Sequence, residues 1–138
     1  MLRVNICTFN TQTTEIMKIR IFGNSLRFRL AVPEVAALCQ KGIVTEQTHF
    51  PGATFTYTVK MIKGEKPLHA KFEGTGITLY LPEVLGAGWA ENTVVGFEAK
   101  QEVPGGVLKL LLEKDFACLE KRGEEDRDTY PNPKAQPA

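Results

Sequence analysis

Residues 18–35, KIRIFGNSLRFRLAVPEV, constrain the fold more than any other stretch. Ile19 and Ile21 alternate with Lys18 and Arg20, and Leu26, Phe28 and Leu30 alternate with Arg27 and Arg29. Such period-two patterning marks a strand with one buried face. Gly23-Asn24-Ser25 separates the two runs, and Gly and Asn tolerate positive φ at little cost. The tract therefore reads as a hairpin with one apolar face and four cations nearby. Pro33 then opens a helix, with Glu34 placed at its positive end. Val35, Leu38 and Cys39 give that helix one apolar stripe, and Lys41-Gly42 is a stop signal.

The same plan returns later. Residues 68–72 and 77–81 read as strands around a turn at 73–76, with Ile77, Leu79 and Leu81 inward, and Pro82-Glu83-Val84 opens a second helix. Gly86 and Gly88 weaken that helix by up to ~1 kcal/mol each, so packing of Leu85 and Trp89 has to hold it. Gly23/Gly74, Leu26/Ile77, Phe28/Leu79 and Leu30/Leu81 share an offset of 51 residues, and the two Pro-Glu-Val triplets an offset of 49. Strands at 44–50 and 54–60 flank Pro51-Gly52, and strands at 94–103 and 107–113 flank Pro104-Gly105, at an offset of 53. The shifts fall in loops and a helix end, where insertions are tolerated. The pattern predicts two ββαββ repeats, at residues 17–63 and 68–118, with a linker at 64–67.

Composition sets the outer limits. A chain of 138 residues with 43% hydrophobic and 24% charged residues has the make-up of a single globular domain. Its net charge of +1 gives no global pull toward nucleic acid or membrane, so an electrostatic partner needs a local patch. Cys7, Cys39 and Cys118 have no metal-like spacing and suit reduced thiols, which with the absence of a membrane-length apolar run points to a cytoplasmic protein.

The ends read differently. Residues 1–16 are Thr-rich and weakly patterned; they are either the product of a start mis-called ahead of Met17 or an edge strand at 3–9. Residues 119–138 are acidic, then Pro-rich, and are expected to be disordered.

The strand, the Gly23-Asn24-Ser25-Leu26 turn, Arg29 and Pro33 resemble the swapped-hairpin (AbrB/MazE-like) domain. The resemblance implies a unit of about 50 residues that dimerises by interleaving hairpins and binds DNA through the first hairpin, in bacterial regulators and antitoxins. Here both units would lie in one chain. Residues 17–133 are also similar to a small uncharacterised bacterial family that shares the opening hairpin and a closing Glu113-Lys114-Asp115-Phe116 followed by Cys118. Departures from the swapped-hairpin pattern are specific. Ala31 and Val32 precede Pro33, Ile21 stands where the antitoxins place a cation, and Thr78 and Tyr80 replace Arg27 and Arg29 in the second copy.

Lys18, Arg20, Arg27 and Arg29 are candidate phosphate contacts, with Asn24 reaching a base edge or backbone. Four such contacts imply a log–log salt slope of about −3.6, hence weak and salt-sensitive binding to duplex DNA. The competing reading is a solvated sheet face, or one paired with acids such as Glu46 or Glu98. Glu124, Glu125, Asp126, Asp128 and Tyr130 are a candidate segment for a protein partner; the competing reading is a solubilising tail. His49 and His69 lack a carboxylate or thiol cluster, and Cys118 beside Lys114 reads as a small apolar residue more readily than as an activated thiol. No nucleophile, base and orienter assemble from these residues, and no cofactor is implied.

The expected protein is thus non-enzymatic and α+β. It is mostly antiparallel β, with both repeats fused into one swapped-hairpin-like barrel, a pseudo-dimer in one chain (residues 17–118) that is monomeric. Its expected role is that of a DNA-associated regulator or antitoxin-like protein; the alternative is a protein- or ligand-binding module that has lost DNA binding.

Overall fold

Two four-stranded sheets and two helices make up residues 17–116, the span that the computed structural model describes. The elements run β1 (Lys18–Ile21), β2 (Ser25–Leu30), α1 (Val32–Lys41), β3 (Ile43–Phe50), β4 (Ala53–Ile62), β5 (His69–Glu73), β6 (Gly76–Pro82), α2 (Glu83–Gly86), β7 (Gly96–Val103) and β8 (Gly106–Lys114). Each hairpin expected from alternation and turn residues forms: β1–β2, β3–β4, β5–β6 and β7–β8 are all antiparallel.

The β1–β2 hairpin does not pair with β3–β4, nor β5–β6 with β7–β8; each hairpin pairs with one from the other half of the chain. One sheet has the order β1-β2-β8-β7 and the other β3-β4-β6-β5. The joins are parallel: Leu26 of β2 lies opposite Leu110 of β8, and Ile77 of β6 lies opposite Tyr57 of β4. Hydrogen bonds beside the joins match in the same way. The Lys109 N–H donates to the Asn24 carbonyl at 3.0 Å and the Thr56 N–H to the Thr75 carbonyl at 3.1 Å. Lys114 N–H donates to Val95 at 2.9 Å and Met61 N–H to Gly42 at 2.8 Å. Corresponding residues in these bonds stand 51 or 53 positions apart.

The architecture is α+β with mixed, mostly antiparallel sheets, and the expected barrel does not close. Closure needs edge strands to pair backbone to backbone. Where β5 and β7 meet, the side chain of Gln101 intervenes instead: its Oε1 accepts the Ala70 N–H at 2.8 Å and its Nε2 donates to the Ala70 carbonyl at 3.1 Å. One carboxamide thus satisfies the edge that a ladder would have used.

The first helix follows its signals, shifted by one residue. Ala31 is its N-cap, so Pro33 takes the second helical position, and Glu34 Oε1 accepts the Ala31 N–H at 2.8 Å. Gly42 ends it at φ +83°, and its N–H donates to the Leu38 carbonyl at 2.8 Å. This is the left-handed C-cap that glycine adopts without steric cost.

The second helix is shorter than its Pro-Glu-Val start suggests. Pro82 is the N-cap and the helix ends at Gly86. A Cβ on Gly86 would lie 2.7 Å from Leu81 Cδ2 and 2.8 Å from Met61 Cε, so a larger residue here would have to displace the ends of those two side chains. Leu85 does not hold the helix, because it is 46% exposed. Trp89 does the anchoring: it is fully buried, its Nε1 donates to the Val94 carbonyl at 2.8 Å, and its ring meets Phe97 edge-on at 4.9 Å. The Val94 N–H goes to Asn92 Oδ1 at 3.0 Å, which keeps Val94 out of the ladder and delays β7 to Gly96.

Both sheets send alternate residues into one core. Phe28 and Leu30 from β2, Val59 from β4, Leu79 and Leu81 from β6, and Leu112 from β8 are fully buried with Leu38 of α1. Each such side chain contributes roughly 1.5–3 kcal/mol of transfer free energy. Met17 joins this core, and its carbonyl accepts the Tyr57 hydroxyl at 3.1 Å.

Candidate functional site

The parallel join of β2 to β8 sets the chemistry of one sheet's outer face. Successive residues of a strand point to opposite faces, so the side chains opposite the buried Leu26, Phe28 and Leu30 form rows across four strands. Lys18, Arg29 and Glu113 make one row; Arg20, Arg27, Leu111 and Glu98 the next; Ser25, Lys109 and Lys100 the third. All four cations singled out in the first hairpin are on this face. Lys100 and Lys109, which hairpin-by-hairpin reading leaves in a distant part of the chain, lie there too.

Acidic residues occupy part of the same face. The Arg29 Nε–H donates to Glu113 Oε2 at 2.7 Å, Arg27 Nε lies 3.6 Å from the same oxygen, and Lys18 Nζ lies 3.0 Å from Asp115. The expected counter-ions Glu46 and Glu98 are therefore corrected to Glu113 and Asp115. The physical reason is the parallel register, which sets Glu113 directly opposite Arg29. Lys114, between the two acids, donates from Nζ to the Asn92 carbonyl at 2.7 Å and lies over the Trp89 ring at 5.7 Å. Glu113 and Asp115 of the closing motif are thus the electrostatic complement of the opening hairpin.

Toward the hairpin tips the face stays cationic. An open groove of about 590 Å³ is lined by Arg20, Phe22, Arg27, Glu98, Lys100 and Lys109, among others. Arg20 stacks its guanidinium over the Phe22 ring at 5.6 Å, and Phe22 is 71% exposed. Among the described residues, Arg20, Lys100 and Lys109 have no carboxylate within ion-pair distance. Asn24 serves the fold at this tip: its Nδ2 donates to the Val107 carbonyl at 2.8 Å, tying the β1–β2 turn to the β7–β8 turn.

The other sheet presents a different face. His69, Lys71, Thr78 and Tyr80 stand 51 positions after Lys18, Arg20, Arg27 and Arg29. His69 stacks on Tyr80 at 4.9 Å, Lys71 lies over the same ring at 5.8 Å, and the Thr45 and Thr58 hydroxyls share a hydrogen bond at 3.2 Å. A polar, weakly cationic surface replaces the arginines.

The remaining candidates do not assemble into a reaction centre. His49 Nδ1 hydrogen-bonds the Thr54 hydroxyl at 3.1 Å, and His69 Nδ1 lies 2.9 Å from the Pro67 carbonyl. No group of three or more His, Cys, Asp or Glu side chains suited to a metal occurs among the described residues. Cys39 is a half-buried free thiol with Sγ 3.8 Å from the Gly86 carbonyl. Tyr57 has its pKa raised above 10.0 by burial, reinforced by the charges of Glu46 and Glu34. No helix among the described residues is long and apolar enough to cross a membrane. Cys7, Cys118 and the tail candidates Glu124, Glu125, Asp126, Asp128 and Tyr130 lie outside the described residues.

Comparison with curated proteins and with solved structures returned no match. A protein-family model does match, over residues 17–134, a span that includes both the opening hairpin and the closing Glu113-Lys114-Asp115-Phe116 motif. The chain belongs to that family, a family of unknown function (DUF7009).

Proposed function

We propose that the protein is a non-enzymatic, DNA-associated regulator or antitoxin-like protein whose working surface is the basic outer face of the β1-β2-β8-β7 sheet. The observation that carries this reading is the convergence of Lys100 and Lys109 with Arg20 and Arg27 along one open groove. Two hairpins far apart in sequence supply cations to one open surface. Such contacts position a duplex and do not read its sequence.

The fold part of the proposal is that the chain holds two swapped-hairpin units, each lending a hairpin to the other's sheet. Its support is the constant offset between equivalent pairings, Leu26 with Leu110 and Ile77 with Tyr57. On this view only one of two equivalent faces has kept its cations, so a single basic surface meets DNA where a homodimer would present two.

The test is a titration of the full chain against labelled mixed-sequence duplex at about 50 mM salt, in parallel with Lys100→Glu/Lys109→Glu. Binding by the parent chain that the double variant loses supports the reading, and absence of binding by the parent overturns it. One observation favours a second reading, a protein- or ligand-binding module without a DNA role: Glu113 and Asp115 already pair with Arg27, Arg29 and Lys18. That reading takes over if the parent chain ignores the duplex.

A further inference from the structure

The last described residues leave the fold beside the cationic face. The Asp115 N–H donates to the Leu30 carbonyl at 2.9 Å, prolonging the β2–β8 join, and the Asp115 carboxylate holds Lys18. Twenty-two residues, 117–138, continue from this point, and the family match includes most of them. Their densest charge is at 124–128, Glu-Glu-Asp-Arg-Asp, just after Gly123.

We propose that residues 124–128 fold back onto the groove of Arg20, Arg27, Lys100 and Lys109 and compete there with phosphate. This inference rests on the proposed DNA-binding face for its consequence, but not for the docking itself. Three observations carry it. The charges are complementary: four acids and one arginine in the segment meet four cations and Glu98 in the groove. The pattern has already begun, since Glu113 and Asp115, the last acids of the described span, are the ones paired with Arg27, Arg29 and Lys18.

The reach also suffices. Lys109 lies six residues back along β8 from Asp115, or ~20 Å, and the eight residue-to-residue steps from Phe116 to Glu124 span up to ~26 Å. The other end of the chain is a poorer occupant, because residues 1–16 carry one arginine and one glutamate and offer no net charge.

A tethered segment at ~1 mM effective concentration, with ~0.1 mM intrinsic affinity for the groove, covers it about ten times more often than it leaves it open. Tail release therefore tightens DNA binding about tenfold.

The test uses the full chain. Zero-length carbodiimide coupling at low salt, followed by peptide mass spectrometry, is expected to join Lys100 or Lys109 to a carboxylate at 124–128. The product should disappear in Glu124→Gln/Glu125→Gln/Asp126→Asn/Asp128→Asn. The same quadruple variant should bind duplex DNA about tenfold more tightly. Mixing ordinary and 15N-labelled chains separates coupling within one chain from coupling between two. Absence of the lysine–tail product, or a product only between chains or only with residues 1–16, overturns the docking. Coupling without DNA binding by either protein upholds the docking and sinks the DNA-binding role of the face. An unchanged DNA affinity in the quadruple variant overturns the competition.

Discussion

Arg29 and Glu113 meet at 2.7 Å across 84 residues of sequence, and this contact records how the chain is assembled. It exists because β8 runs parallel to β2 with Glu113 opposite Arg29. The same carboxylate reaches Arg27 at 3.6 Å, so one acid restrains two of the cations on the candidate binding face.

Glu113→Gln should therefore act in two directions. Stability is expected to fall by only about 0.5–1 kcal/mol, because both arginines are partly solvent-exposed and water screens the pair. Duplex binding at low salt should strengthen as Arg27 and Arg29 are released, with the log–log salt slope steepening by about 1 to 2. Chemical unfolding and a salt series on the same preparation check both effects. Weaker DNA binding in the variant would mean that the two arginines do not face the nucleic acid.

Tyr57 gives a pH prediction of defined sign. Burial, and then Glu46 and Glu34, raise its pKa in the fold above the unfolded value of 10.0. The folded state thus holds the phenolic proton more tightly than the unfolded chain. This contribution is complete below the unfolded pKa and is lost as pH rises through the folded one. Above about pH 10 the parent chain should lose stability with pH more steeply than Tyr57→Phe, and the two profiles should run parallel below about pH 9. The variant should start about 1 kcal/mol lower, having left the Met17 carbonyl without its donor. Parallel profiles throughout the alkaline range would contradict this.

Gly76 tests the β4–β6 join. A Cβ there would lie 2.6 Å from the Thr56 carbonyl oxygen, a contact that requires one backbone to shift. Gly76→Ala should cost about 1–3 kcal/mol, read as a lower urea midpoint. An unchanged midpoint would mean that the two strands do not approach as described.

How far such contacts could be read in advance depended on their range. The β1–β2 hairpin and α1 were legible because their information is local: alternation, Gly23-Asn24-Ser25, Pro33-Glu34 and Lys41-Gly42 each act within a few residues. The α2 start was legible, but its end was not, because the turn at Gly86 packs against Leu81 and Met61, contacts that helix propensity does not contain. Lys100 and Lys109 were visible as alternate positions of strands, yet nothing local placed them beside Arg27. That adjacency depends on a parallel join between residues more than 80 positions apart. Glu113 was missed as a counter-ion for the same reason. The offsets of 51 and 53 residues were the one available signal, since they imply that equivalent strands have equivalent partners.

Trp89 is the chain's only tryptophan, which makes its environment directly observable. Its full burial predicts blue-shifted fluorescence that moves to the red on unfolding. Trp89→Phe should cost about 2–4 kcal/mol through the lost volume and the lost hydrogen bond to Val94. Solvent-like emission from the native protein would rule out this packing.

The central claim is that cations from both halves of the chain form one surface for a phosphate backbone. Its most direct test is the salt dependence of duplex binding between about 50 and 200 mM, compared for the parent chain and Arg20→Glu/Lys100→Glu/Lys109→Glu. If these three cations each neutralise a phosphate, the parent slope should be at least about −2.7, and the triple variant should lose that increment along with most of its affinity. No binding at about 50 mM, or a slope that the triple substitution leaves unchanged, would contradict the claim.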